Sequence, residues 1–125
     1  MLINLSNHPS VNWSQEQKLK AIELYQEIID IPFPEIDPSG DEEYIESLAL
    51  QYLNKILEIK NSTSETVVVH LMGELTFCFA LIVKLKANGI KCIASTTKRI
   101  VEEKDGIKTS VFKFNNFREY KANSF

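Results

Sequence analysis

Thr66-Val67-Val68-Val69-His70-Leu71 is a β-branched run without alternation. Behind it stand Met72-Gly73-Glu74, an apolar segment from Leu75 to Ala87, Asn88-Gly89, and Ile90-Lys91-Cys92-Ile93-Ala94. A short, continuously apolar run marks a strand covered on both faces, as in a parallel sheet. The segment from Leu75 to Ala87 is apolar almost all round, which predicts a well-buried helix. Asn88-Gly89 offers the left-handed residue that ends a helix at little steric cost. Strand, helix and strand in this order make a right-handed crossover between parallel strands.

Toward the amino end the same alternation appears twice more. Leu2-Ile3-Asn4-Leu5 reads as a strand, and Ser6-Asn7-His8-Pro9-Ser10 as a polar loop with a proline stop. Ser14-Gln15-Glu16-Gln17 has the form of a capping box, with Leu19, Ile22 and Tyr25 following at helical spacing. Glu27-Ile28-Ile29-Asp30-Ile31-Pro32 is a second strand, followed by a proline-rich run to Pro38 and a second capping box, Ser39-Gly40-Asp41-Glu42. Ile45, Leu48, Ala49, Tyr52, Leu53, Ile56 and Leu57 then share one helical face. Lys60 to Glu65 is read as a polar loop. Toward the carboxyl end, Ile100 to Glu103 and Thr109 to Phe114 flank Asp105-Gly106, a hairpin turn, with Phe117 to Tyr120 extending it. Ala122 to Phe125 is expected to be a frayed tail.

The expected architecture is therefore α/β: one Rossmann-like, three-layer domain over residues 1–121. Its sheet is mostly parallel, in the order 2-1-3-4, with a carboxyl-terminal β-hairpin at the edge. The switch point between strands 1 and 3 is where such sheets bind ligands.

The 125 residues suffice for one core, and 44% apolar with 25% charged residues is an ordinary globular composition. A net charge of -3 argues against binding duplex nucleic acid through a broad basic face. It leaves room for a small enclosed anion site. Cys78 and Cys92 lie in apolar runs without a CxxC partner and read as buried thiols of a reducing compartment. The amino terminus shows no secretory pattern, and the longest apolar segment is too short for a bilayer. A cytoplasmic protein that does not meet a membrane is expected.

Three loops carry the candidate chemistry. In the first, His8 suits acid–base work, and Ser6 and Asn7 suit a ribose or phosphate oxygen; the alternative is that Ser and Asn cap the turn beside an exposed His8. Trp13 can stack on a base or staple the helix start to the core. In the second, Gly73 lets a ligand approach the backbone, and the N–H groups of Glu74, Leu75 and Thr76 favour an anion. Glu74 would compete with a phosphate, or merely cap its helix. In the third, Ser95-Thr96-Thr97-Lys98-Arg99 places hydroxyls and two cations at a strand end; they suit a phosphate, or guard an exposed edge. His70 reads as a satisfied core histidine. Asp30, Glu35 and Asp37 are available to a divalent ion, but their spacing does not demand one, and two distant histidines make no structural zinc site. Without a G-x-G-x-x-G, a P-loop or a G-x-S-x-G elbow, no cofactor is expected.

The layout resembles the small single-domain CARF-like accessory proteins of type III CRISPR systems, which bind or degrade cyclic oligoadenylates. The residues carrying the resemblance are a first strand ending in Ser6-Asn7-His8-Pro9 and the helix start Ser14-Gln15-Glu16-Gln17. They continue with Leu71-Met72-Gly73-Glu74 and the apolar helix behind it. The resemblance implies a homodimer holding one cyclic ligand across its two-fold axis, with cyclic tetra-adenylate favoured. It also implies a ring nuclease of antiviral defence that needs no metal, cutting by in-line attack of a ribose 2′-hydroxyl. Carried over, Lys98 or Arg99 would stabilise the phosphorane, and N–H groups near Gly73 and Thr76 would hold phosphate. His8 would be the acid or base, with Asn7 and Ser10 positioning. Glu74 departs from what an anion site prefers, and no decisive catalytic motif is present. A non-catalytic sensor or sponge, or an interaction module with no nucleotide ligand, are the alternatives.

Overall fold

The computed structural model describes residues 1–122. Its elements are β1 (Leu2–Ser6), α1 (Gln15–Tyr25), β2 (Ile28–Asp30), α2 (Glu42–Asn61), β3 (Val68–Met72), α3 (Leu75–Ala87), β4 (Lys91–Lys104) and β5 (Ile107–Glu119), with one 3-10 turn at Ser10–Asn12. The strands form one sheet in the order β2-β1-β3-β4-β5. The first four are parallel neighbours, and β5 runs antiparallel to β4. This is the Rossmann-like arrangement that the alternation of strands and helices predicts.

Alternate residues of β1 and β3 serve two different layers. Ile3, Leu5, Val69 and Leu71 pack with α2 and α3, joined by Cys92 from β4. Leu2 and Val68 pack on the other face with Trp13, Ala21 of α1 and Ile93. Cys78 and Cys92 are buried, and burial pushes both thiols up to about 12. Neither should react with a disulfide reagent in the folded chain at mildly alkaline pH, and both should react once urea unfolds it, as a thiol titration will show.

The helix and turn signals fall where the residues place them, with differences of detail. The Ser14 hydroxyl accepts from the Gln17 N–H, but the Gln17 side chain does not turn back to close a capping box. It donates instead to Ser95 Oγ at 2.9 Å. At α2 the cap is Asp41, which accepts from the Tyr44 N–H, rather than Ser39. α2 also continues to Asn61, through the start of the expected Lys60 to Glu65 loop. Gly89 ends α3 at φ 72°, and Asp105-Gly106 (φ 54° and 79°) makes the two-residue hairpin turn.

Two expectations need correction. Ser95 to Arg99 is not a strand-end loop, because β4 runs straight through it to Lys104. β4 pairs with β3 only over Lys91–Ile93, so from Thr97 outward β4 and β5 form a two-stranded ribbon projecting from the sheet. A bulge at Thr96/Thr97 marks its root. Second, α3 is not buried all round: Leu75 is 82% exposed, and Phe79 and Val83 also reach solvent. Residues 123–125 of the expected tail lie outside the described residues.

Candidate functional site

Asn4 and His70 are polar side chains in strands buried on both faces, and such groups must find partners. The Asn4 amide nitrogen donates to the His8 carbonyl at 2.9 Å and to Asp30 Oδ1 at 2.8 Å. That fixes Asn4 Oδ1 as an acceptor. His70 Nδ1, 2.9 Å away, must therefore carry the proton, which leaves Nε2 to accept from the Ser95 hydroxyl at 2.7 Å. Gln17 of α1 donates in turn to Ser95. One chain of hydrogen bonds thus crosses the sheet from Asp30 on β2 to Ser95 on β4. Burial, with a smaller contribution from the nearby His8, lowers the His70 pKa to about 4, so its ring is neutral near pH 7.

This relay holds the β1–α1 loop. The His8 carbonyl also accepts from Trp13 Nε1 at 2.9 Å, and Ser6 Oγ accepts from the His8 N–H at 3.2 Å. The Ser10 N–H and hydroxyl both donate to Asp30, closing the loop onto β2. Burial alone would raise the Asp30 carboxyl, but these bonds from Ser10 and the one from Asn4 outweigh it and hold it below the usual range. Asp30 is thereby occupied structurally, and among the described residues no cluster of three metal-ligating side chains is present.

Beside the relay is a hollow of about 340 Å³ at the carboxyl ends of β1 and β2. Ser6, Asn7 and Pro9 form one wall, and Asp30, Pro32 and Phe33 form the other. A carboxylate offers about four lone-pair sites, and Asp30 uses three, so one further donor can be accepted there. The surface combines flat apolar rings, an amide and a carboxylate, without a cation. It suits a base edge or a ribose hydroxyl and repels a bare phosphate.

The remaining candidates are placed as follows. Trp13 is not a stacking platform: it is 6% exposed, with its ring edge-on to His70 at 5.1 Å. Gly73 does not open the backbone to a ligand, since a Cβ there would meet the Phe33 ring at 2.3 Å. The glycine is needed for that ring. Glu74 caps α3, accepting from the N–H groups of Thr76 and Phe77 and from the Thr76 hydroxyl. The Thr76 hydroxyl bond, then that from the Phe77 N–H, lowers its carboxyl pKa. The helix start expected to cradle a phosphate is thus closed by its own carboxylate. Thr96 bonds across the ribbon to the backbone of Asn116, and Arg99 to Ser110 Oγ. Thr97 stands opposite Phe114 and Lys98 opposite Lys113. Strand rise carries Lys98 and Arg99 roughly 10–13 Å beyond Ser95, past the level at which β3 ends. Asn7 and His8 are both exposed, Asn7 lining the hollow and His8 following it in the loop.

A family model matches residues 1–118 and is described as the Uncharacterized protein MJ1673 family. The chain belongs to that family. The match takes in every strand and helix that builds the hollow and the relay, and all of the ribbon. No curated protein matches the chain.

Sequence reading finds the β1–α1 loop but passes over the residues that organise it. The sequence assigns Asn4, Gln17 and Phe33 no ligand role, offers Asp30 only to a divalent ion, and reads His70 as a core histidine. The available signal was an asparagine and a histidine inside otherwise apolar strand runs, each requiring a buried partner.

Proposed function

We propose that the chain recognises a cyclic oligoadenylate as a homodimer and cleaves it without metal: a ribose 2′-hydroxyl attacks the adjoining phosphorus, the bond to the 5′-oxygen of the next nucleotide breaks, and a 2′,3′-cyclic phosphate and a 5′-hydroxyl result. The observation that carries this reading is the hollow at the ends of β1 and β2, whose aromatic and proline walls and single acceptor site on Asp30 suit a nucleoside. The adenosine enters there, with its ring against Phe33 and Pro32. Its phosphates stay outside, toward His8 and the cations Lys98 and Arg99. The relay fixes the loop, and in this reading His8 takes the 2′-hydroxyl proton and returns it to the departing 5′-oxygen. This places the base and phosphate subsites differently from a cradle at Gly73 and Thr76, where Glu74 occupies the N–H groups.

The closed helix start also supports a second reading, a sensor or sponge that binds the ring intact. Incubation with cyclic tetra- and hexa-adenylate in the presence of a chelator separates the two. Linear products on chromatography support cleavage, and a shifted but intact ring supports the sponge. For the nuclease, His8→Ala should lower turnover by about 10²–10⁴-fold with affinity retained. Phe33→Ala should weaken binding instead. Binding of neither ring would overturn the nucleotide reading.

A further inference from the structure

Two surfaces of this chain match each other better than either matches water. The first is the ribbon. Residues directly opposite on an antiparallel pair share a face. One face therefore holds Ile100 with Val111 and Lys104 with Ile107, and it also carries Lys98, Lys113 and Glu102. Ile107 is 68% and Val111 39% exposed. A free two-stranded ribbon is marginal in water, so aliphatic residues along it call for a cover. Charge points the same way. The ribbon from Thr97 to Phe114 holds five cations and three carboxylates, in a chain whose net charge is -3, so the body is the acidic part.

The second surface is a groove of about 440 Å³ between the amino-terminal halves of α2 and α3. Ile45, Leu75, Phe79 and Ala80 contribute its apolar lining, and Asp41, Glu42 and Glu46 its carboxylates. Only Glu46 of these carboxylates has an ion pair among the described residues, with Lys84 at 2.6 Å. An aliphatic strip flanked by lysines thus answers an apolar groove flanked by acids.

We propose that the β4–β5 ribbon of one copy docks in the α2–α3 groove of a second copy, and that the exchange is reciprocal. A two-fold axis lets each chain give its ribbon and receive its partner's, which closes the assembly at two. Nucleic acid fits this ribbon face less well, because its apolar residues are aliphatic and Glu102 stands among its lysines. The contact does not rest on the nucleotide reading, and its test uses no cyclic oligoadenylate.

The full chain should elute at twice its 14.3 kDa mass in chromatography with light scattering. Lys104→Glu with Lys113→Glu should weaken the dimer by about tenfold or more, and so should Glu42→Lys with Glu46→Lys. Mixing the two double variants should restore a dimer, because each reversed surface then meets its complement. Ile107→Asn, which removes the aliphatic contact and leaves both sets of charges unchanged, should give a monomer. Circular dichroism is expected to match the parent in every case. A monomeric parent chain, a dimer indifferent to both reversals, or a mixture that fails to recover would each overturn the proposal. So would a monomer whose ribbon lysines are needed to hold single-stranded oligonucleotide.

Discussion

Phe77→Ala should destabilise the domain by about 3–5 kcal/mol, the range for removing a buried aromatic ring from a packed core. Phe77 is fully buried at the start of α3, edge-on to Phe33 at 5.4 Å and to Tyr52 at 5.5 Å. A domain of this size has about 5–15 kcal/mol of total stability, so the variant should be folded only marginally. Urea titration followed by circular dichroism will measure the loss. Phe77→Leu, which leaves a smaller cavity, should lose clearly less. The effect should also reach the hollow, because Phe33 is both its wall and the neighbour of Phe77. A loss below about 1.5 kcal/mol for the alanine variant would mean that the site collapses easily and that Phe33 is not held by this contact.

Acidification should weaken the fold well before the ordinary carboxylate range. Folding lowers the His70 pKa from 6.5 to about 4, burial being the main cause. Above pH 6.5 the ring is neutral in both states and costs nothing. As pH falls below that value, the unfolded chain takes up a proton that the folded chain refuses, so stability is lost progressively until about pH 4. At 1.36 kcal/mol per pKa unit the complete loss is about 3 kcal/mol, most of it present by about pH 5. Denaturation midpoints taken from neutral pH down to about pH 5 should fall steadily, and His70→Leu should flatten the slope while lowering stability throughout. A parent profile already flat over that window would show that His70 is not held neutral by its surroundings. Asp30 adds a further loss at lower pH, since a lowered carboxyl pKa contributes stability that disappears when the group is protonated.

The relay and the ribbon show where residue patterns carry information and where they stop. His70 is legible as buried and satisfied, yet its partners come from positions 66 and 25 residues away. Spacing along a chain cannot report which polar residues of three strands fall at one level of a sheet. Ser95 to Arg99 has the polarity of a loop, and nothing local distinguishes a loop from a strand that outruns its neighbour. Pairing with β5 decides it. Gly73 illustrates the same limit: its small size is evident in the sequence, but whether a ligand or Phe33 uses the space depends on where the Pro32-Phe33-Pro34 segment lays its ring.

By itself the sequence determined the alternation of strands and helices, the sheet order 2-1-3-4 and the hairpin turn at Asp105-Gly106. These follow from periodicity, caps and chirality, which act over a few residues or one crossover. Only the tertiary structure decided that Glu74 closes the start of α3, that Trp13 is a core ring, and that Asn4, His70 and Ser95 form one line of hydrogen bonds. Each of those outcomes depends on which distant side chain reaches a shared point first, and hydrogen bonds and packing fix that only when the layers close on one another.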